Sequence, residues 1–313
     1  MQVEYDGVHS LLIGDFINGV YDQENGFLDT WSDLHLIPVS RPVVAPPKVR
    51  ENYVDVPGAH GSVDLTDILI GRPLYENRTG SFDFYVDHTN EEYDRWDYAY
   101  DKLLNLLNGF KKKIILKDSP SYYYEGRLSV NAWKTDKLAS QITLDYNLFP
   151  FKHMLWKTTD EWLWDPFDFI HGTIPPSRSN FVQTVEYNSG YTNAVTLEQD
   201  FMGTLPAIPT ITAELEDKTV DAGILGTNDP YILVQVEEYR PDTGTWYGLR
   251  TVKIDSKYKT NGNKSLEATL PELAIANYYL GYKYRYRFDN HLKNSSGTGS
   301  TAIIKFTFRP GRL

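Results

Sequence analysis

The chain contains no cysteine, which excludes a disulfide framework, a thiolate metal site and a cysteine nucleophile. Cations are in deficit: 31 Lys and Arg stand against 42 Asp and Glu, a formal charge of -11. Tight binding to nucleic acid phosphates needs clustered Lys and Arg that release counterions, and this balance opposes it. The opening MQVEYDGVHSLLIGDF lacks the basic and unbroken apolar regions of a secretory signal, and no apolar run reaches the ~18 residues of a membrane span. A soluble chain made in the cytoplasm, with no membrane partner, is expected. No fixed-period repeat or low-complexity tract is visible, so solenoids and propellers gain no support.

What is present is an ordinary globular balance, 41% hydrophobic and 23% charged, with aromatics at 14% led by 23 Tyr. Tyrosine is stiff and amphipathic, so this composition favours β structure and broad contact surfaces. At roughly 100–200 residues per domain, 313 residues suggest two domains.

The clearest helix spans residues 89–108. Thr89 and Glu92 form a capping box, Tyr93, Trp96, Tyr100, Leu103, Leu104 and Leu107 recur at steps of three and four, and Asn108-Gly109 stops it. Strands surround it. Ile142, Leu144, Tyr146 and Leu148 alternate with polar residues, as do Phe82, Phe84 and Val86. Residues 112–118 and 122–134 form a hairpin across Asp118-Ser119-Pro120. From 150 to 180 the rhythm breaks into scattered Pro and Trp, which places a domain junction at 156–180 between domains 1–155 and 181–313. Beyond it, short strand patterns separated by Gly, Asn, Asp and Pro point to a β-sandwich. In KYRYRF, Lys283, Arg285 and Arg287 alternate with Tyr284, Tyr286 and Phe288, so the basic cluster covers the outer face of one strand.

The stretch VPGAHGSVDLTDILIG, residues 56–71, gathers Gly, His and Asp in a way that invites a catalytic or phosphate-binding reading. The P-loop Lys followed by Ser or Thr is missing, and Asp55, Asp64 and Asp67 lack calcium-loop spacing. His60 has no G-x-S-x-G elbow or H-E-x-x-H pair to work with. A turn explains the residues better: Pro57 fixes φ, while Gly58 and Gly61 allow conformations that a Cβ resists. No catalytic residue, metal site or cofactor is therefore assigned. Trp162 and Trp164 suit either packing at the junction or stacking on a sugar ring. Asn77-Arg78-Thr79 and Asn294-Ser295-Ser296 match the glycosylation pattern by chance.

Several stretches recur together in one order: Asp29-Thr30-Trp31, Leu36-Ile37-Pro38 and Ser40-Arg41-Pro42, then Pro46-Pro47-Lys48-Val49, then Val54-Asp55-Val56-Pro57-Gly58 with Gly61 and Asp64-Leu65-Thr66. Tyr75-Glu76-Asn77-Arg78, Leu106-Leu107-Asn108-Gly109, Tyr122-Tyr123-Tyr124-Glu125-Gly126-Arg127, Trp133 and Pro150-Phe151-Lys152 complete the series. This order resembles the N-terminal domain of the distal tail protein family of long-tailed phages and prophages. The Ile208-Pro209-Thr210-Ile211 opening and the Phe308–Leu313 ending resemble the galectin-like, carbohydrate-binding-module-like sandwich that often follows.

The resemblance implies a mainly β protein: a β-sandwich tail domain with one helix, forming a ring, and a C-terminal galectin-like β-sandwich. It implies a structural virion protein of the tail tip, assembled in the host cytoplasm and not an enzyme. Its ring, usually hexameric, joins the tail tube to the baseplate or adhesion apparatus and lets DNA pass. The implied partners are copies of itself, the tail tube protein, a tail-associated hub protein and a receptor-binding protein. Trp31, Arg41, Pro57, Gly58, Gly61, Asp64 and Arg78 become ring-interface or turn-scaffold residues, with Arg78 pairing a carboxylate, and Trp162 and Trp164 a weak aromatic contact. The alternatives are a carbohydrate-binding module for host recognition and a cell-wall glycoside hydrolase, whose carboxylate pair no sequence feature locates.

Overall fold

The computed structural model describes residues 7–58, 60–68, 73–86, 95–107, 109–134, 140–155, 157, 181–191, 193–197, 208–216, 231–255, 259–260, 265–274, 283–293 and 298–313. The protein is mainly β. Its described residues up to Leu155 belong to one compact unit and those from Phe181 to Arg312 to a second.

In the first unit the strands are β1 (Leu11–Gly14), β2 (Phe27–Asp29), β3 (Leu36–Pro38), β4 (Tyr53–Asp55), β5 (Ser62–Asp64), β6 (Arg78–Val86), β7 (Lys112–Leu116), β8 (Tyr122–Lys134), β9 (Ser140–Leu148) and β10 (Lys152–Met154), with helices α1 (Gln23–Gly26) and α2 (Arg95–Leu107). Alternation decides the main sheet. Ile142, Leu144, Tyr146 and Leu148 of β9 are buried, as are Phe82, Phe84 and Val86 of β6, and the two strands pair antiparallel with Phe82 opposite Leu144. The Asp118-Ser119-Pro120 turn closes the expected β7–β8 hairpin, with Ile114 opposite Tyr124.

The strand path runs β2-β1-β7-β8-β9-β6-β3. Thr30, directly after β2, ties this stretch to both β1 and β3. The Leu11 amide donates to Thr30 Oγ1 at 2.9 Å, and the Leu36 amide donates to the Thr30 carbonyl at 2.8 Å. Leu11, Ile13, Leu36, Phe84, Ile114 and Leu144 share one apolar cluster with Trp96, Ala99, Leu103 and Leu107 of α2. Leu104, expected on the apolar face of the helix, is exposed: the buried stripe runs through Trp96, Leu103 and Leu107, as expected, and through Ala99. Thr89, Glu92 and Tyr93, expected at its start, lie outside the described residues, as does most of the 156–180 junction.

The second unit contains β11 (Val182–Val185), β12 (Asn193–Leu197), β13 (Thr210–Leu215), β14 (Tyr231–Arg240), β15 (Thr245–Ile254), β16 (Lys259–Thr260), β17 (Ser265–Thr269), β18 (Lys283–His291) and β19 (Ala302–Thr307). They form two antiparallel sheets, β11-β19-β13-β17-β16 and β12-β18-β14-β15. Ile211, Ala213, Ile304 and Phe306 from the first meet Val195, Ile232, Val234, Tyr286 and Phe288 from the second in one core. The Tyr286 hydroxyl, buried in this core, donates to the Leu273 carbonyl at 2.6 Å, and Asn290 Nδ2 bridges the carbonyls of Val185 and Ser300, both at 2.9 Å. Both of these buried polar side chains are thus matched to backbone carbonyls.

Candidate functional site

The residues that invite chemistry in the sequence form a projecting arm. β4 and β5 pair only with each other, Tyr53 opposite Asp64 and Asp55 opposite Ser62, and every residue of both strands is exposed. Pro57, Gly58, His60 and Gly61 lie at the tip, where Gly58 has φ +84° and Gly61 φ +76°, and neither glycine has a neighbour among the described residues that an added Cβ would meet. These glycines therefore serve backbone conformation rather than close approach to another part of the chain.

Side chains lock the arm locally. Asp64 Oδ1 accepts the Thr66 amide at 2.9 Å, Thr66 Oγ1 accepts the Asn52 amide at 3.1 Å, and Ser62 donates to Asp55 Oδ1 at 2.6 Å. The hydrogen bonds to Thr66 hold the Asp64 carboxyl below its usual range. His60 lies exposed at the tip. Asp55 and Asp64 thus shape a turn, and among the described residues no group of three or more His, Asp or Glu is placed to hold a metal ion. What the arm does present is apolar surface: Tyr53, Val54, Val56, Val63 and Ile68 are all exposed, Tyr53 by 56% and Ile68 by 69%.

Arg78 anchors the base of the arm from below. It is 5% exposed, and no carboxylate meets it among the described residues. Its Nε donates to the Pro150 carbonyl at 2.7 Å and its Nη1 to the Ala45 carbonyl at 2.9 Å, while the guanidinium lies 5.6 Å from the Tyr124 ring centre. Burial pushes its pKa down. Arg41 sits elsewhere, exposed, with Nε 3.1 Å from Asp118 Oδ2, and His9 Nδ1 approaches Asp118 Oδ1 at 2.9 Å. Beside it a shallow polar depression of about 170 Å³ is lined by residues including Ser40, Arg41, Ser81 and Asp83. Trp31 occupies the corner between β2 and β3, its amide donating to Asp29 Oδ1 at 2.9 Å and its ring 5.8 Å from that of His35. The structure does not bring Trp31, Arg41, Arg78 and the arm tip together as one site; it distributes them over turns and the arm base.

A second surface was legible only in part. Register places Lys283, Arg285 and Arg287 on the outer face of β18, opposite Tyr239, Glu237 and Gln235 of β14. Glu237 pairs with both arginines, with Arg285 Nε and, at 3.5 Å, with Arg287 Nη1. Arg285 also lies 4.1 Å from the Trp246 ring centre, and Arg240 lies 4.6 Å from that of Tyr247. The Glu237 and Trp246 partners depend on strand register, which no local pattern reveals. Trp162 and Trp164 lie outside the described residues. No described helix is long and apolar enough to cross a membrane.

No known protein-family model matches the chain, and no curated protein matches it in sequence. Among solved structures it is similar to the SPP1 Dit protein (gp 19.1), described as a paradigm of the hub adsorption apparatus in phages infecting Gram-positive bacteria. That overlap has a TM-score of 0.47 and 12% identity over 97% of this chain and 99% of that one. Two further similarities are to infectious bursal disease virus. The VP2 subviral particle gives a TM-score of 0.23 and 9% identity over 98% of this chain and 68% of that one. The Gt strain gives 0.25 and 10% over 97% and 66%.

Proposed function

We propose that the chain is a structural component of a phage or prophage tail tip, and that it works by assembling rather than by transforming a substrate. One observation carries this reading. The β4–β5 arm spends its turn glycines, its capping Asp64 and its exposed apolar side chains on a surface with no partner among the described residues of its own unit. Such a surface is stable in water when another chain covers it. The ordered series of stretches that resembles distal tail proteins includes this arm, the Thr30-Trp31 corner and Arg78.

On this reading the first 155 residues close a ring, hexameric as in the family, that joins the tail tube to the hub and adhesion parts. The negative balance of the chain, -11, suits a lumen through which DNA passes without sticking. The second unit docks a receptor-binding protein. Negative-stain electron microscopy of the purified protein, alone and with the tube protein, tests the proposal. Rings with a central hole support it; a particle that stays monomeric at high concentration in both preparations refutes it.

A second reading, carbohydrate binding, draws on the outer face of β14, β15 and β18, where Trp246, Arg285 and Glu237 combine an aromatic ring with hydrogen-bonding charges. Saturable binding to isolated cell-wall glycan, lost on Trp246→Ala, would favour it over docking.

A further inference from the structure

We infer that the outer face of the β12-β18-β14-β15 sheet takes a glycan carrying a repeating negative charge, phosphodiester or carboxylate, and holds it by charge rather than by ring stacking. This rests on the carbohydrate-binding reading above and names the chemical class of the glycan.

Alternation separates the two faces of this sheet. Tyr284, Tyr286 and Phe288 of β18 and Ile232, Val234 and Val236 of β14 lie in the core, which leaves Lys283, Arg285, Arg287 and Asp289 on the outer face opposite Tyr239, Glu237, Gln235 and Leu233. On β15, Lys253 stands opposite Leu233 and, past the bulge, Gly248 stands opposite Glu237. Among the described residues of this face, the four cations Lys253, Lys283, Arg285 and Arg287 therefore stand against two carboxylates, Glu237 and Asp289. A local positive excess is gathered on a chain whose formal charge is -11. The cations also reach solvent: Arg285 and Arg287 expose 26% and 30% of their side chains, and Lys253 is exposed.

The aromatic rings of the face are already occupied. Arg285 lies 4.1 Å from the Trp246 ring centre, and the Tyr239 ring lies 5.4 Å from that of Trp246. Lys253 Nζ lies 4.4 Å from the Tyr231 ring centre, and the His291 ring stacks on Tyr231 at 4.4 Å. A base of a nucleic acid, or a neutral sugar ring, needs an open aromatic face to stack on, and here the protein's own side chains cover those faces. What the face offers a ligand is charge in a row. Lys283, Arg285 and Arg287 are two residues apart, so their cations recur about every 6–7 Å at roughly 3.3 Å per residue, a spacing suited to an extended chain with one anion per repeat. Gly248 gives that chain room, since a Cβ there would meet, among the described residues, nothing nearer than Gln235 Nε2 at 3.6 Å.

Binding of the full-length protein to four polymers tests the inference by biolayer interferometry: poly(glycerol phosphate), polygalacturonate, dextran and single-stranded DNA. Either anionic glycan should bind about tenfold or more tightly than dextran and DNA, and should weaken as salt rises, because exposed charges are screened. Which of the two binds more tightly tells phosphodiester from carboxylate. Lys253→Glu with Lys283→Glu leaves Glu237 and its two arginines in place and should abolish binding, with circular dichroism confirming the fold. Glu237→Gln should tighten binding several-fold, since it removes an anion from the face, whereas a neutral sugar that uses this carboxylate as a hydrogen-bond acceptor would be lost. Dextran bound as tightly as the anionic glycans, or weakened binding in Glu237→Gln, overturns the inference and leaves the carbohydrate-binding reading standing. DNA bound as tightly as the glycans also overturns it, since the face would then take any polyanion. No binding to any of the four overturns the inference, and no binding to isolated cell-wall glycan in addition overturns the carbohydrate-binding reading with it.

Discussion

Arg78 donates from Nε to the carbonyl of Pro150 at 2.7 Å and from Nη1 to that of Ala45 at 2.9 Å, so one buried side chain ties the segment leading into the arm to the turn after β9. Charged donors to carbonyls contribute about 1.5–3 kcal/mol each, and nothing else in the site replaces them. Arg78→Ala should cost roughly 2–4 kcal/mol in urea denaturation of the first unit's transition. Arg78→Lys should recover less than half, because a single ammonium cannot span both carbonyls.

Gly58 and Gly126 should respond differently to the same substitution. A Cβ at Gly126 would overlap the Asn147 carbonyl and Leu148 Cα of the paired strand, whereas at Gly58 it enters open space and meets only the penalty of a positive φ. Gly58→Ala should cost about 1–2 kcal/mol and Gly126→Ala at least about 3 kcal/mol. Urea midpoints at unchanged slope would read both.

The Glu237 carboxylate is shared by two arginines on the neighbouring strand, and 11% of its side chain is exposed. Glu237→Gln keeps its shape but leaves Arg285 and Arg287 uncompensated. Because both arginines reach solvent, the cost should stay near roughly 1–3 kcal/mol and shrink at high salt. Thermal melts of the second unit at two ionic strengths measure this.

Burial pushes the Tyr286 phenol well above its ordinary value near 10. The folded state holds that proton after the unfolded chain has lost it. The stabilisation is therefore intact below about pH 10 and falls by about 1.4 kcal/mol per pH unit above it. In the first unit Tyr21 is pushed up to about 12, by burial first and by Asp22 second, so its contribution is lost between about pH 10 and 12. Tyr286→Phe should flatten the alkaline decline of the second unit's stability. It should also cost about 1–3 kcal/mol at neutral pH, because it strands the Leu273 carbonyl. Denaturation between pH 8 and 11 resolves both effects.

The parts of this fold that depend on nearest neighbours were legible in the sequence. Alternation in β6 and β9 and the three-four stripe of α2 state which side is buried, and Asp64-Leu65-Thr66 states a turn. Leu104 shows the limit even there, since the stripe's centre depends on what the helix packs against. Long-range partnerships were not legible. An arginine at a strand start reads as exposed, and only the approach of Ala45 and Pro150 buries Arg78. The outer face of β18 was visible as an alternation, but Glu237 and Trp246 reach it through strands more than thirty residues away. One extra residue in β15, Leu249, shifts their pairing, so that Val236 faces Arg250 while Glu237 faces Gly248.

The Thr30 seam has a bearing on solubility. A sheet whose first and last strands are only three residues long, with Thr30 after the first one bonded to the start of the last, offers few spare backbone amides to a neighbouring sheet. Fibrous stacking is thereby discouraged at high local concentrations. Encounters between molecules are left to side chains, whose chemistry can discriminate a correct partner from a wrong one.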